Sequence, residues 1–182
     1  MVEMKSLANH FLVATPGIED QFFAESVIYL YQHNAEGASG VAVNKPLKVK
    51  LGAVLRQLNV LSQQEELNNH LVFAGGPISP EQGLIIYEKV LTEKPSGLLI
   101  SSSKDELIAI SQGKGPESFL LTLGHSVWES GQLEEEIRQN TWLIAPFHRE
   151  LLFSYNVGMK WKAALASIGV NLSYFSGEAG RA

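Results

Sequence analysis

Residues 27–44 read VIYLYQHNAEGASGVAVN and say more about the architecture than any other stretch of the chain. Residues 27–33 predict a strand in which residues 27, 29 and 31 on one face and residues 28 and 30 on the other are apolar, which is typical of a central strand covered on both sides. The polar, glycine-containing residues 34–40 predict a turn, and residues 41–44 predict a second strand. We therefore expect a hairpin with a fairly long loop near the middle of the sheet.

Further strands are predicted wherever short apolar runs end at glycine, proline or polar residues. The order of predicted elements mixes hairpins with strand–helix–strand segments. This mixture favours an α+β fold with a mixed sheet over a doubly wound parallel one. No linker or repeat interrupts the order, so residues 1–182 are predicted to form a single domain. The remaining predicted strands are residues 10–15, 71–74, 83–87, 98–101, 119–124 and 141–145.

Apolar residues at helical spacing predict two amphipathic helices. The second of them stops at Gly169 and is followed by residues 170–175. The two apolar stripes consist of Leu51, Val54, Leu55 and Leu58, and of Trp161, Ala164, Leu165 and Ile168.

Capping signals predict two further helices. Ser103-Lys-Asp-Glu106 is a capping box, and the helix that it opens is expected to end at Gly113. Ser130 is expected to cap a helix over residues 131–140. On that helix, Glu134 and Arg138 stand four residues apart, a spacing at which the two side chains can pair.

The composition excludes several classes of protein. The chain of 182 residues contains no cysteine, which rules out disulfides, thiolate chemistry and cysteine-ligated zinc. The amino terminus lacks the basic and apolar regions of a signal peptide, and no apolar run approaches the roughly 20 residues that cross a bilayer. We therefore expect a cytoplasmic protein that does not associate with membranes.

The charge of the chain and the spacing of its histidines restrict which nucleic acids, metals and cofactors it is expected to bind. The formal net charge is −5 and the 14 Lys and Arg residues are scattered, which disfavours direct binding to nucleic acid. The densest basic patch, within residues 45–50, is interpreted as a solvated loop that leads into a helix. The histidines lack the spacing of metal ligands, so neither a metal nor a cofactor is expected. They are His10, His33, His70, His125 and His148.

One catalytic motif is partly present after an apolar strand. Gly124-His-Ser126-Val-Trp128 resembles the G-x-S-x-G nucleophile elbow, but the elbow needs a small residue where this chain has Trp128. His148 is the one histidine downstream that could act as a base. The better interpretation is a capping box, Ser126-x-x-Glu129, that opens a short turn. A hydrolase that uses Ser126 remains the most specific form of an enzymatic alternative.

Three turns that follow strands carry glycine, proline and polar side chains. Binding residues concentrate on loops held by a rigid scaffold, so these turns are candidate binding sites, together with Trp128. The alternative is that glycine and proline serve only the tight bends. The candidate residues are Asn44, Lys45, Pro46, Gly75, Gly76, Pro77, Gly124, His125 and Trp128.

Blocks of sequence along nearly the whole chain carry a family resemblance. They are His10-Phe-Leu-Val-Ala-Thr-Pro16 with Asp20, Phe23, Ser26 and Val27; His33-Asn34, Gly37-Ala38 and Gly40-Val-Ala-Val-Asn44-Lys-Pro46-Leu; Phe73-Ala-Gly-Gly-Pro77 with Gly83; Leu123-Gly124, Trp128, Gly131-Gln-Leu-Glu134, Glu136-Ile, Asn140 and Trp142; and Trp161, Ile168-Gly169 and Gly177-Glu-Ala-Gly180. In this order they resemble the AlgH/YqgE family of uncharacterised bacterial proteins.

Two departures from the family pattern bear on function. Tyr31-Gln32 stands where the family often has Cys-Glu, so a cysteine-based role cannot operate in this chain. Gly124-His-Ser-Val-Trp128 stands where the family commonly has Gly-x-Ala-Gly-Trp, so the resemblance does not support Ser126 as a shared nucleophile.

The resemblance implies a mixed, strongly bent sheet that forms an open, barrel-like core with helices packed outside. It implies no established reaction, although the family name is associated with transcriptional regulation of exopolysaccharide synthesis. We expect a non-enzymatic binding or regulatory module that acts through strand-end loops on an unidentified protein or small molecule. The alternatives are an enzyme of unrecognised type and a DNA-binding transcriptional regulator, for which the sequence shows neither a helix-turn-helix nor a basic face.

Overall fold

The computed structural model describes residues 5–91, 94–154 and 156–173, with the backbone alone at residues 89–91 and 94–97. Within these residues, nine strands form one mixed sheet. The strands are β1 (His10–Ala14), β2 (Val27–Asn34), β3 (Gly37–Ala42), β4 (Pro46–Lys50), β5 (Leu71–Ala74), β6 (Ile78–Leu91), β7 (Lys94–Ser101), β8 (Phe119–Glu129) and β9 (Trp142–Ala145).

Six short helices and one 3₁₀ turn (Val157–Met159) accompany the sheet in the described residues. Every helix there is too short or too polar to span a membrane. The helices are α1 (Leu51–Gln57), α2 (Glu65–Asn68), α3 (Lys104–Ser111), α4 (Gln132–Arg138), α5 (Arg149–Phe153) and α6 (Lys160–Ser167).

The sheet runs in the order β4-β5-β8-β3-β2-β1-β9, and β6 pairs with both β7 and β8. β5 and β8 are parallel, whereas the other pairs are antiparallel. The two end strands, β4 and β9, do not pair with each other, so the sheet stays open. The predicted α+β fold with a mixed, open sheet is confirmed.

β8 joins the two halves of this sheet. The first half of β8 pairs with β5 and β6, and its last residues pair with β3, where Ser126 lies opposite Gly40. Between them, Gly124 adopts a φ of 79°, a conformation that glycine reaches at little cost. The strand therefore exchanges β5 for β3 as a partner around Gly124 and does not end there.

The central position of β2 is confirmed by its two buried faces. Val27 and Tyr29 belong to a core cluster that includes α6, whereas Ile28 and Leu30 belong to a second cluster on the opposite face. A third cluster lies between α1, α3 and the other half of the sheet, and includes Leu51. The four side chains of β2 named here are at most 4% exposed, so burial of apolar area on both faces of the strand holds the hairpin in place.

The four helices predicted from apolar spacing and capping signals are present as α1, α3, α4 and α6. The Oγ of Ser103 caps α3 and accepts from the amide of Asp105 at 3.2 Å. Gly113 follows that helix with a φ of 72°, as expected of a glycine that ends a helix.

Two predicted loops are wrong because the chain pairs as strand there. The turn between β2 and β3 contains two residues, since Asn34 lies opposite Gly37 and its Oδ1 accepts from the amide of Glu36 at 2.8 Å. The basic patch at residues 45–50 is mostly the edge strand β4, paired with β5. An edge strand accommodates proline and lysine because one side of its backbone faces away from the sheet.

Two details predicted for α4 are also wrong. Gly131 occupies the N-cap position, and the Oγ of Ser130 donates instead to the carbonyl of Ala35 at 2.6 Å. Glu134 pairs with His33 and not with Arg138, which pairs with Glu135. Ser130 and Glu134 find their partners on the β2–β3 hairpin, far away in the chain, which local spacing does not reveal.

Candidate functional site

The three candidate turns converge in the structure. The amide of Ala74 donates to the carbonyl of Lys45, and the amide of Gly75 donates to the carbonyl of Leu123, both at 2.8 Å. The carbonyl of Gly75 accepts from Ala42, also at 2.8 Å. These backbone bonds tie the three turns into one feature at the carboxyl ends of β5 and of the first half of β8, which we call the turn junction.

Backbone segments approach each other very closely in the turn junction. A Cβ atom on Gly75 would lie 2.2 Å from the carbonyl oxygen of Gly124, and one on Gly76 would lie 2.1 Å from the carbonyl carbon of His125. Contacts below 3.0 Å are essentially never seen for real Cβ atoms. Packing of the chain is therefore sufficient reason for glycine at residues 75 and 76.

The polar side chains of the first turn hold a neighbouring loop. Oδ1 of Asn44 accepts from the amide of Val27 and its Nδ2 donates to the carbonyl of Glu25, both at 2.9 Å. Nζ of Lys45 donates to the carbonyl of Ala24 at 2.5 Å. Burial lowers the pKa of Lys45, and the negative charge of Glu25 partly offsets this effect. These side chains thus fix the start of β2.

The other candidate residues lie in different surroundings. Pro46 begins β4 and Pro77 is exposed, whereas Trp128 is 4% exposed and packs against Trp142 in the second core cluster. Nδ1 of His125 is buried and has no hydrogen-bond partner among the described residues. Trp128 is therefore a core residue, and binding by the turn junction itself stays a prediction.

Ser126 does not begin a turn, so the predicted capping box is wrong. It lies within β8, its side chain is 3% exposed, and its Oγ has no hydrogen-bond partner among the described residues. Neither a base nor a helix amide is thus bonded to it in that part of the chain.

We expect Ser126→Ala to leave the stability unchanged or to raise it by up to about 1 kcal/mol, because the variant removes a buried hydroxyl without a partner. Urea denaturation of the two proteins measures the difference. Serine→alanine at a true N-cap, Ser103, is the matched control and should cost about 1 kcal/mol. A loss at Ser126 as large as that at Ser103 would contradict this assignment.

A cleft lies at the opposite ends of β5 and β8 from the turn junction. It has a volume of about 420 Å³ and is bounded by the amino-terminal ends of both strands, by α5 and by the first residue of α6. We call it the Lys160 cleft, and its walls include His70, Phe73, Ser118, Phe119, Phe153 and Lys160.

Lys160 is the first residue of α6, yet only 2% of it is exposed. Its Nζ donates to the carbonyl of Val43 at 2.9 Å and to the carbonyl of Leu152 at 3.0 Å. The same atom lies 5.1 Å from the centroid of the Phe73 ring. Lys160 thus links α5, β5 and the residue that directly follows β3, and all three of these partners are uncharged.

The surroundings of Lys160 disfavour its positive charge. Burial lowers its pKa from 10.5 to about 8. The amino-terminal end of a helix carries partial positive charge, which is also unfavourable for a cation. Among the described residues, no carboxylate lies within 4.0 Å of its Nζ. Buried charges are normally paired, so this ammonium group is available to an anion.

Aromatic rings form much of the rest of the cleft. The rings of His70 and Phe119 stack with centroids 4.3 Å apart and planes 11° apart. The guanidinium of Arg149 lies 5.4 Å from the centroid of the Phe153 ring. Arg149 also pairs with Glu88 at 2.6 Å, so its charge is already compensated at the rim. Lys160 is therefore the cation of this cleft that lacks a charged partner among the described residues.

His33, which is buried, and Glu134, which is partly exposed, form a second polar cluster. Nε2 of His33 lies 2.6 Å from Oε1 of Glu134, and Nδ1 of His33 accepts from the amide of Leu7 at 2.8 Å. Because Nδ1 is an acceptor, the proton of the imidazole lies on Nε2 and points at the carboxylate. Burial raises the pKa of Glu134, but the hydrogen bond from His33 and further favourable contacts outweigh it, so the net shift is downward. This cluster fastens the segment before β1 to α4.

The described residues offer no site with the donor set of a metal. No group of three or more His, Asp or Glu side chains is gathered there, and the chain has no cysteine. Of the polar clusters described above, the Lys160 cleft alone combines a buried charge with space for a ligand.

Comparisons with known proteins agree on one family. Residues 11–173 match the AlgH-like family. A UPF0301 protein of Coxiella burnetii is 47% identical over 184 residues, which cover 100% of both chains. A UPF0301 protein of Methylococcus capsulatus is 41% identical and covers 98% of this chain and 97% of its own length.

Two solved structures share the fold. The solution structure of the AlgH protein from Pseudomonas aeruginosa has a TM-score of 0.78 and 36% identity, over 100% of this chain and 99% of that one. A crystal structure of a Corynebacterium diphtheriae protein has a TM-score of 0.70 over 91% and 88% of the two chains, and its 20% identity shows the fold alone. With a family match over most of its length and relatives above 40% identity, this chain belongs to the AlgH-like family.

Proposed function

We propose that this protein is a non-enzymatic binding module that takes a small organic carboxylate into the Lys160 cleft. The observation that carries the proposal is that Lys160 lines an open cleft while its buried ammonium group contacts only neutral groups among the described residues. A carboxylate placed against Nζ would supply the missing opposite charge.

The energetic reason is the unfavourable burial of a single charge. Moving an ammonium group out of water is costly unless an anion and hydrogen bonds compensate. The carbonyl groups of Val43 and Leu152 compensate in part, and a ligand carboxylate would add a charge-assisted hydrogen bond. The pKa of about 8 fits this interpretation. The group is still mostly protonated near pH 7, and the lowered pKa means that burial makes its charged form less favourable than in water.

The size and walls of the cleft suit a small, partly apolar molecule. Its volume of about 420 Å³ falls in the range of about 300–1,000 Å³ that is typical of ligand pockets. Phe73, Phe119 and Phe153 supply an apolar lining, and Ser118 supplies a polar group. An anion with a short apolar or aromatic body satisfies both kinds of wall.

The proposed site, the Lys160 cleft, differs from the strand-end loops that the sequence indicates as the binding site. β5 and β8 run parallel, so their amino ends meet at the cleft and their carboxyl ends meet at the turn junction. The regulatory part of the proposal is that occupancy of the cleft, transmitted through Lys160, sets the position of α5 against the end of β3. Lys160 donates to the carbonyl of Leu152 in α5 and to that of Val43, which directly follows β3.

The proposal includes no chemical step. Among the described residues that line the cleft, no hydroxyl group is hydrogen-bonded to a histidine or a carboxylate, and the Oγ of Ser118 accepts from Arg149 at 3.5 Å. An activated nucleophile needs such a partner. Binding without reaction is therefore the function that this geometry supports best.

The test compares benzoate with benzamide, which has nearly the same shape but no charge. We expect calorimetry near pH 7 to show that benzoate binds at least about tenfold more tightly, because only the anion forms a charge-assisted bond with Lys160. Lys160→Met should remove this preference. Lys162→Met, which changes an exposed lysine two residues away, should retain it.

Equal affinities of the unmodified protein for benzoate and benzamide would contradict the proposal, and this comparison does not depend on any variant. Retention of the full benzoate preference in folded Lys160→Met protein would contradict it as well.

A further inference from the structure

The orientation of His70 is fixed by two contacts. Its Nδ1 lies 3.0 Å from the carbonyl oxygen of Leu71, and its ring stacks on Phe119 with centroids 4.3 Å apart. A carbonyl oxygen can only accept, so Nδ1 must carry a proton and donate it. In the neutral imidazole the other nitrogen, Nε2, then has no proton and is a hydrogen-bond acceptor.

Nε2 of His70 is an unused acceptor in the wall of the Lys160 cleft. No hydrogen bond to it is formed within the described part of the chain, and His70 lines the same cleft as Lys160. One wall thus offers a cation and another offers an acceptor. A ligand that uses both must carry an anionic group and a separate hydrogen-bond donor.

The other groups at the cleft restrict this ligand further. Glu117, an exposed carboxylate at the rim, would repel a second negative charge on the ligand. The stacked pair of His70 and Phe119 presents flat rings beside Phe73 and Phe153, which favours a flat aromatic body. The chemistry of the walls therefore matches a singly charged aromatic acid with a neutral donor group.

Resting on the proposed function, we infer that His70 is the residue that selects the ligand, and that the ligand is an aromatic carboxylic acid that bears a hydroxyl or amino donor. The carboxylate lies against Lys160 and the donor lies against Nε2 of His70.

The experiment measures dissociation constants for benzoate, for meta- and para-hydroxybenzoate, and for the matching methoxybenzoates. A methoxy group keeps the oxygen but cannot donate. We expect at least one hydroxybenzoate to bind about fivefold more tightly than benzoate, and its methoxy analogue to show no such gain.

The matched variant is His70→Phe, which retains an aromatic ring to stack on Phe119 but removes the acceptor. It should lose the gain from the hydroxyl group, so that benzoate and the preferred hydroxybenzoate bind the variant with dissociation constants within about twofold of each other. Because the expected change is in the ratio between two ligands, a general loss of folded protein does not imitate it.

The outcomes separate the two proposals. If benzoate binds but neither hydroxybenzoate binds more tightly, the inference about His70 is wrong and the proposed function stands. If His70→Phe keeps the full hydroxyl gain, the inference is wrong as well. If no benzoate binds at all, both proposals fall.

Discussion

Gly76→Ala is expected to lower the free energy of unfolding by at least about 3 kcal/mol, measured by urea denaturation. The added Cβ atom would lie 2.1 Å from the carbonyl carbon of His125 and 2.2 Å from its carbonyl oxygen. Both atoms belong to the backbone of β8, so no flexible side chain can move aside to relieve the overlap. The backbone around Gly76 would have to move away from β8 at the turn junction.

Gly83→Ala is the matched control for this prediction. Gly83 lies in β6, also beside β8, and a Cβ there would be 3.6 Å from the nearest atom, a side-chain carbon of Leu121. We expect a change within about 1 kcal/mol. Similar losses in the two variants, or normal stability of Gly76→Ala, would show that the close approach at the turn junction is wrong.

The second large effect is a gain of stability with rising pH that depends on Lys160. Its pKa is about 8 in the folded protein and 10.5 in its ordinary state. Between these values the unfolded chain binds more protons than the folded one, so stability must rise with pH. The expected contribution is about 2.5 kcal/mol between pH 7 and pH 10.

Lys160→Met isolates this contribution because methionine does not titrate. Burial raises the pKa of Tyr29 from 10.0 to about 12, so above pH 10 that residue makes stability fall as pH rises. The lowered pKa of Lys45 acts in the same direction as that of Lys160. Both effects are common to the two proteins and cancel in their difference.

The measurement is therefore the difference in unfolding free energy between the unmodified protein and Lys160→Met at several pH values from 7 to 10. We expect the difference to shift in favour of the unmodified protein by about 2.5 kcal/mol over this range. A difference that does not change with pH would mean that the ammonium group of Lys160 is solvated, which contradicts its burial.

Much of the fold could be predicted because local patterns and tertiary packing agree there. Both faces of β2 are apolar in the sequence and buried in the structure, and the stripe from Trp161 to Leu165 faces the first core cluster. The side chain of Ser103 caps α3 as predicted, although its amide donates to Ser101 and not to Glu106 as a full capping box requires. In these elements each residue has one favourable environment, so a local pattern is sufficient.

Prediction failed where sheet pairing overrides a local signal. Gly124 and the Ser126-x-x-Glu129 pattern indicate a turn, but pairing with β3 extends β8 to Glu129. The chain tolerates this because Gly124 adopts a positive φ, and no local pattern distinguishes a glycine inside a strand from one that ends it. Which strand lies beside residues 126–129 is a long-range property.

The candidate site shows the same limit. Lys160 and Lys162 are both lysines next to Trp161, yet Lys160 is 2% exposed and Lys162 is exposed. Only the positions of the Val43 and Leu152 carbonyl groups, which lie far apart in the chain, make one of them a buried cation. A weak signal exists, since Lys160 directly precedes a buried helical stripe, but it does not reveal a cleft.

Proton uptake on benzoate binding tests the central claim most directly. At pH 9, Lys160 is mostly neutral in the free protein, and a carboxylate against its Nζ must raise its pKa and draw a proton onto it. Calorimetry at pH 9 in two buffers with different ionisation enthalpies measures that uptake. We predict more than about half a proton per benzoate at pH 9, less than about a tenth at pH 6, and no uptake in Lys160→Met. Benzoate that binds at pH 9 without taking up a proton, or that takes up as many protons in Lys160→Met, would contradict the account.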